Sequence, residues 1–258
     1  MNKLDRNKQD KVKQFISFTT RGEKTAISAL KSFRWNVDRA VNDFFENPQK
    51  YPPSPPPSPP PYNKSSLEKL FRKYKQSNAN KMDAQGVANF FNDLGVDMTD
   101  ILTLIIAWKL RSKVLGEFSY EEFVDGWGQF GCDSISAMKN KLSDLRKEIN
   151  DKTKFTEFYS FIFDFGKEHP DHKFLKNEIA SALWEVVLKG RFKFLDNWLE
   201  FLKKPQNVKQ TINKDTWNLL PEFGETTNLD LSNYDETAAW PVLIDEFVEY
   251  LQELKEKK

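Results

Sequence analysis

The chain predicts an all-α protein, and three observations carry that expectation. Apolar residues recur at intervals of three and four along most of its 258 residues, the spacing of one helix face. Alternation of the strand type never extends beyond scraps of about three residues. Only 10 glycines are available for the turns of a β-rich fold, while 22 Phe and 7 Trp need the apolar surroundings that packed helices supply. At 39% hydrophobic and 30% charged, the composition is too apolar for a wholly disordered chain and too polar for a membrane-embedded one.

The elements follow in order. Val12, Phe15, Ile16 and Thr19 mark a first helix, Ala26, Ile27 and Leu30 a second. Asn36 caps a third, which carries Val37, Ala40, Val41, Phe44 and Phe45. A three-helix module over 6–48 has no room for a catalytic cleft and suits an interaction role. Pro52 to Pro61 then reads PPSPPPSPPP, eight of the chain's 13 prolines. At about 3.1 Å per residue in polyproline II, such a run spans roughly 30 Å and keeps two folded parts separate. A PxxP run can also be a ligand for aromatic-grooved modules, but folded sequence on both sides favours a linker, set at 49–64.

Beyond it, Leu67, Leu70, Phe71 and Tyr74 form one stripe, and Val87, Phe90, Phe91 and Leu94 another. Further helices are expected near 134–149, 155–167, 175–188, 191–203, 213–223 and 239–254, so 65–255 reads as one large helical domain. Two windows inside it have an EF-hand frame without its ligands. Arg111 to Glu122 has Gly116 at position 6, Phe118 at position 8 and Glu122 at position 12, but Arg111, Lys113 and Leu115 stand where calcium needs oxygen. Lys75 to Gly86 has Met82 at position 8, with Lys75, Ser77 and Ala79 as poor ligands. The geometry of an EF-hand is therefore expected without the metal, and no cofactor is expected either.

Catalytic chemistry finds little support. The lone Cys132 is a conceivable thioester acceptor, but in GCDSI it reads better as a small residue beside a helix cap. His169 and His172 are too few for a closed zinc site. The single cysteine and the absence of an apolar leader point to a reducing cytoplasmic or nuclear setting. Asn2 excludes myristoylation, and the apolar run Ile101 to Trp108 is far short of the roughly 20 residues that cross a bilayer, so no membrane is expected as a partner.

Charge is balanced overall, 39 basic against 38 acidic residues, which argues against coating nucleic acid. The balance is an average. From Asp215 to Leu254 there are ten carboxylates and no Lys or Arg. Such a run is either a solvated face or a docking surface for a basic partner, and the residues leave both open.

The segments KDTWNLLPEF from Lys214, LSNYDETAAWPVLIDEFVEY from Leu231, LIIAWKL from Leu104, EEFVDGW from Glu121, GCDSI from Gly131 and GRFKFLDNW from Gly190 closely resemble the defective-in-cullin-neddylation (DCN-like) family. The resemblance implies an N-terminal ubiquitin-associated (UBA) domain and a potentiating-neddylation domain with calcium-free EF-hand-like folds. It also implies a non-enzymatic scaffold, expected as a monomer, that brings cullins to the neddylation conjugating enzyme. On this likeness Asp215, Ala239 and Asp245 form the cullin-binding patch. Val87, Ile106, Ala107, Phe118 and Phe165 form a pocket for the acetylated N-terminal Met of the conjugating enzyme. Thr103, Leu115 and Gly116 depart from the family pattern beside that pocket. The N-terminal module resembles a UBA domain through Ala26, Leu30, Trp35 and Phe44-Phe45, which makes ubiquitin a conceivable partner. Phe18-Thr19-Thr20 stand where that fold's Met-Gly-Phe type ubiquitin-binding loop belongs.

Overall fold

The computed structural model describes residues 4–51, 60–77, 79–207 and 210–256. The chain divides into two units, Met1–Ser58 and Pro59–Lys258. The polyproline reading of 52–59 lies outside the described residues.

In the first unit, Asp5 caps α1 (Arg6–Thr19) by accepting from the Lys8 amide, and Thr20 ends it in the left-handed region. α2 is Glu23–Ser32, and α3 is Val37–Glu46, capped by Asn36 as its position predicts. Val12, Phe15, Ala26, Leu30, Ala40 and Phe44 fill the small core. Tyr51, counted with the linker on sequence, belongs to this core: it is 8% exposed, lies against Phe44, and its hydroxyl donates to the Asp43 carboxylate.

The second unit opens where Pro60–Asn63, also counted with the linker, pack on it. A Cβ at Gly128 would meet the Tyr62 ring at 2.5 Å, one at Gly131 would meet Pro60 at 2.6 Å, and the Asn63 amide donates to Asp133. Two helix–loop–helix pairs follow. The first is α4 (Lys64–Tyr74), β1 (Lys81–Met82), α5 (Ala84–Leu94), α6 (Ile101–Lys109), β2 (Phe118–Ser119) and α7 (Tyr120–Gln129). Its strands pair antiparallel with Met82 opposite Phe118, the two position-8 residues of the EF-hand frames. α8 (Ile135–Glu148), capped by Ser134, leads to a second pair: α9 (Lys152–Phe165), β3 (Phe174–Lys176), α10 (Asn177–Val187), α11 (Leu195–Leu202), β4 (Thr211–Asn213) and α12 (Lys214–Thr226). Here Leu175 faces Ile212. α13 (Val242–Glu256) closes the unit.

In the first pair, the oxygens and amides that surround calcium in a working loop are otherwise engaged. The Lys75 ammonium donates to the carbonyls of Gln76, Ser77 and Ala79 at 3.2, 3.3 and 3.2 Å. The Glu122 carboxylate accepts from the Lys113 and Ser119 amides at 3.0 and 2.8 Å, and the second of these bonds completes a capping box with Ser119.

Several boundaries differ from the sequence-based ones for local reasons. Asp151 caps α9 and starts it at Lys152. Pairing of 174–176 in β3 delays α10 to Asn177. Gly190 at φ 73° makes a turn that moves the start of α11 to Leu195. α12 runs through Pro221 to Thr226, although that proline leaves the Trp217 carbonyl without its helical donor. The Tyr159 hydroxyl supplies the missing bond at 2.8 Å, and itself accepts from Trp184 Nε1 at 2.8 Å. Trp217 Nε1 donates to the Tyr159 carbonyl at 3.0 Å, and the Trp217 ring stacks on those of Tyr159 and Trp184. This buried knot fixes the helix that carries Asp215.

Candidate functional site

A groove of about 550 Å³ lies between β4 and α12 on one side and the start of α13 on the other. Asp215 lines it from the first turn of α12, which Asn213 caps by accepting from the Thr216 amide at 2.8 Å. Neighbouring Lys214 is drawn to Asp164 at 3.2 Å. Ala239 reaches the groove from the loop 227–241 and is exposed. Asp245, in the first turn of α13, is half-buried and accepts the Tyr234 hydroxyl; it does not line the groove, although its neighbour Glu246 does. Burial, then that bond, pushes the Tyr234 phenol well above its usual range, so it stays a donor. Both aspartates occupy helix N-termini, where the backbone dipole favours negative charge.

Residues that sequence reasoning did not assign complete the groove. Leu219, Trp240 and Pro241 give it an apolar lining, Val242 stands 71% exposed at its edge, and Glu246 adds a carboxylate. No described lining residue is cationic. Glu246 was visible within the acidic run; the exposure of Val242 had no signal in a helix whose apolar residues otherwise face inward. Chemically, a carboxylate-rimmed apolar groove suits a segment that offers both a basic side chain and an aliphatic or aromatic anchor.

A second concavity, about 280 Å³, is enclosed by α5, α6, α9, α10 and the approach to β2. This is near the lower end of the roughly 300–1,000 Å³ of small-ligand pockets. Val87, Ala107, Phe118 and Phe165 line it together. Ile106 does not: it is fully buried, one residue and so about 100° around α6 from Ala107. Thr103, Leu115 and Gly116 are also in the wall, with Met98 and, from α10, Ala182, Leu183 and Val186, four residues that sequence reasoning did not assign. The charged wall residue Glu117 is paired with Lys81 at 2.7 Å.

Cys132 belongs to neither concavity. It is 5% exposed, its Sγ faces the carbonyls of Phe130 and Ala137, and burial pushes its thiol up, away from the reactive thiolate. His169 and His172 sit at the exposed approach to β3, where the His172 ring stacks on Phe174. Among the described residues no cluster of three or more His, Cys, Asp or Glu is placed to hold a metal, and no helix is long and apolar enough to cross a membrane.

Comparison with known proteins places the chain in a family. A family profile described as cullin binding matches residues 137–250, which include Asp215, Ala239, Asp245 and Phe165, and a UBA-like domain profile matches 9–50. The chain is 30% identical to defective in cullin neddylation protein 1 of Caenorhabditis elegans, over 98% of this chain and 92% of that one. It is 30% identical to the protein of the same name from Yarrowia lipolytica, over 94% and 96%. Human DCN1-like protein 3 is 37% identical over 74% of this chain and 64% of its own. Near-complete coverage of two relatives, with both profiles in the expected order, shows that the chain belongs to the defective-in-cullin-neddylation family.

Proposed function

We propose that this protein is a non-catalytic scaffold of cullin neddylation. It holds a cullin in the groove of Asp215, Ala239 and Asp245, holds the conjugating enzyme by its acetylated N-terminal Met in the apolar cavity, and so promotes transfer of the ubiquitin-like modifier to a cullin lysine. The observation that carries this reading is the convergence of two distant segments, Asp215 on α12 and Ala239 on the 227–241 loop, on one groove with no cation among its described lining residues, to which Glu246, the neighbour of Asp245, adds a carboxylate.

The mechanism is proximity. A scaffold that binds both partners makes their encounter effectively intramolecular and orients the acceptor lysine toward the thioester. The cavity fits its assigned role in chemistry as well as size: a buried ammonium is far costlier than a buried amide, so acetylation turns a repelled N-terminus into an acceptable one. Burying one Met side chain contributes about 1.5–3 kcal/mol, which keeps the contact reversible. The buried, high-pKa Cys132 supports a scaffold over a thioester-forming ligase, and a reducing cytoplasmic or nuclear setting fits a free thiol.

The test is a reconstituted neddylation assay. Asp215→Lys or Asp245→Arg is expected to abolish cullin binding and stimulation while leaving helicity intact. Cys132→Ala is expected to retain stimulation, and an unacetylated conjugating enzyme to lose it. Normal cullin binding by both charge-reversed variants would overturn the groove assignment; loss of stimulation with Cys132→Ala in a folded protein would favour the ligase.

A further inference from the structure

We infer that Tyr234 is a positioning residue of the cullin-facing groove, holding the Asp245 carboxylate and the Ala239 loop in one fixed relation. The inference rests on the reading of that groove given above. The loop 227–241 has no helix or strand of its own, and it must still present Ala239 at a defined distance from two helices.

Its fastenings are specific. The Asn233 side chain donates to the Thr226 carbonyl at 2.7 Å, and its oxygen accepts from the Asn228 amide at 2.6 Å. These bonds, with Leu231 at φ 60°, turn the chain back toward α12. The Tyr234 ring then packs edge-on against Phe223 at 6.1 Å, and the Trp240 ring packs edge-on against the same Phe223 at 5.9 Å. Segment 234–240 is therefore pinned at both ends on one side chain of α12, with Ala239 between the pins. Inside it, Asp235 accepts from the Thr237 amide and hydroxyl at 2.8 and 2.6 Å.

The Tyr234 hydroxyl adds the link to α13. It donates to Asp245 Oδ1, which leaves Oδ2 as the oxygen free of that bond. A carboxylate tethered at one oxygen cannot swing between rotamers, so it meets a cationic partner without first losing that freedom. The ring and the hydroxyl thus do separable work: the ring seats the loop, and the hydroxyl aims Asp245.

Tyr234→Phe keeps the ring and removes only the aim. In titration calorimetry of the full chain with a purified cullin, this variant should weaken binding about five- to tenfold, the effect of losing one hydrogen bond of ordinary strength. Asp245→Ala should weaken binding more, and Tyr234→Phe added to Asp245→Ala should cause no further loss. Equal losses in both backgrounds would mean that the hydroxyl acts other than through Asp245, and that result overturns the inference. So does an unchanged affinity for Tyr234→Phe when Asp245→Ala is impaired, with the groove reading left standing. If Asp245→Ala itself binds normally, the groove reading fails and the inference falls with it.

Discussion

Replacing Tyr159 by Phe removes one oxygen and orphans two buried groups. The hydroxyl accepts from Trp184 Nε1 and donates to the Trp217 carbonyl, both at 2.8 Å, and the Trp217 carbonyl has no helical alternative because Pro221 follows it by four residues. The phenol is fully buried, and burial raises it well above its ordinary range, so it is a donor at every pH that the fold tolerates. Each buried group left without a partner costs about 1–3 kcal/mol, so the variant should lose about 3 kcal/mol or more. For a unit of this size that is about 6–12 °C in Tm. Six of the chain's 7 Trp lie in the Pro59–Lys258 unit, so tryptophan fluorescence during urea unfolding reports chiefly on it. Pro221→Ala provides an internal control. Alanine restores an N–H to the Trp217 carbonyl, and in that background the cost of Tyr159→Phe should fall by about 1–2 kcal/mol, leaving the share owed to Trp184. A loss below about 1 kcal/mol, or an equal loss in both backgrounds, would refute the account of how α12 carries its proline.

Three further outcomes are expected. Calcium at millimolar concentration should leave intrinsic Trp fluorescence unchanged, because the Lys75 ammonium and the Glu122 amide bonds fill the loops; a saturable change would contradict this. The Tyr51–Asp43 bond should make the first unit sensitive to pH at both extremes. Asp43 is lowered from its ordinary value, chiefly by the Tyr51 hydrogen bond, so its contribution is present above about pH 3.8 and fades as pH falls through the lowered value. Tyr51 is raised to about 12, first by burial and then by the same bond, so its contribution holds below about pH 10 and fades as pH rises through that value. Amide exchange in α3 of Tyr51→Phe should lack the alkaline dependence and show a weaker acid one, because Asn47 and Lys50 still bond Asp43 at 2.8 and 3.2 Å; an unaltered profile would disprove the link. Gly128→Ala puts a methyl group 2.5–2.8 Å from the Tyr62 ring and should displace the segment 60–63 from α7, seen as faster proteolysis there; an unchanged cleavage rate would show that Tyr62 has room to move.

Where the sequence carried a local rule, the fold followed it. Asn36 and Ser134 cap their helices as their positions predict, and the position-8 residues Met82 and Phe118 of two ligand-poor frames became partners across β1 and β2. The second pair was not legible in this way. Leu175 and Ile212 do the same work, but Lys173 and Gln210 stand two residues before them, where Gly116 stands before Phe118, so neither loop has the recognisable turn. α6 was obscured for another reason: Leu102, Leu104, Ile105, Ile106 and Ala107 are all buried, and a helix covered on most sides has no polar stripe to give its period away. The apolar cavity shows the limit most clearly. Val87, Ala107, Phe118 and Phe165 are indistinguishable from core residues by type and spacing, and only their joint exposure to one void separates them from Ile106.

The acidic run from Asp215 to Leu254 shows why a charge count is not yet a surface. Its carboxylates divide by what already holds them. Asp230 and Asp235 close turns, accepting from Ser232 and Thr237 respectively, and both are lowered chiefly by those side-chain hydrogen bonds. Glu225 pairs with Lys152 at 2.9 Å, an ion pair open to solvent and of little energetic weight. Asp215 and Glu246 face the groove, and Asp245 is aimed beside them by Tyr234. On the proposed function, the two readings left open by the sequence, solvated face and docking surface, apply to different members of one run. The long-range field that draws a basic partner comes from all of them, and falls away over a Debye length of about 8 Å at physiological salt. On the same proposal, the contact that retains it would come from the few that end at the groove, beside Val242 and Trp240, where a partner's apolar anchor can exclude water and strengthen each charged pair.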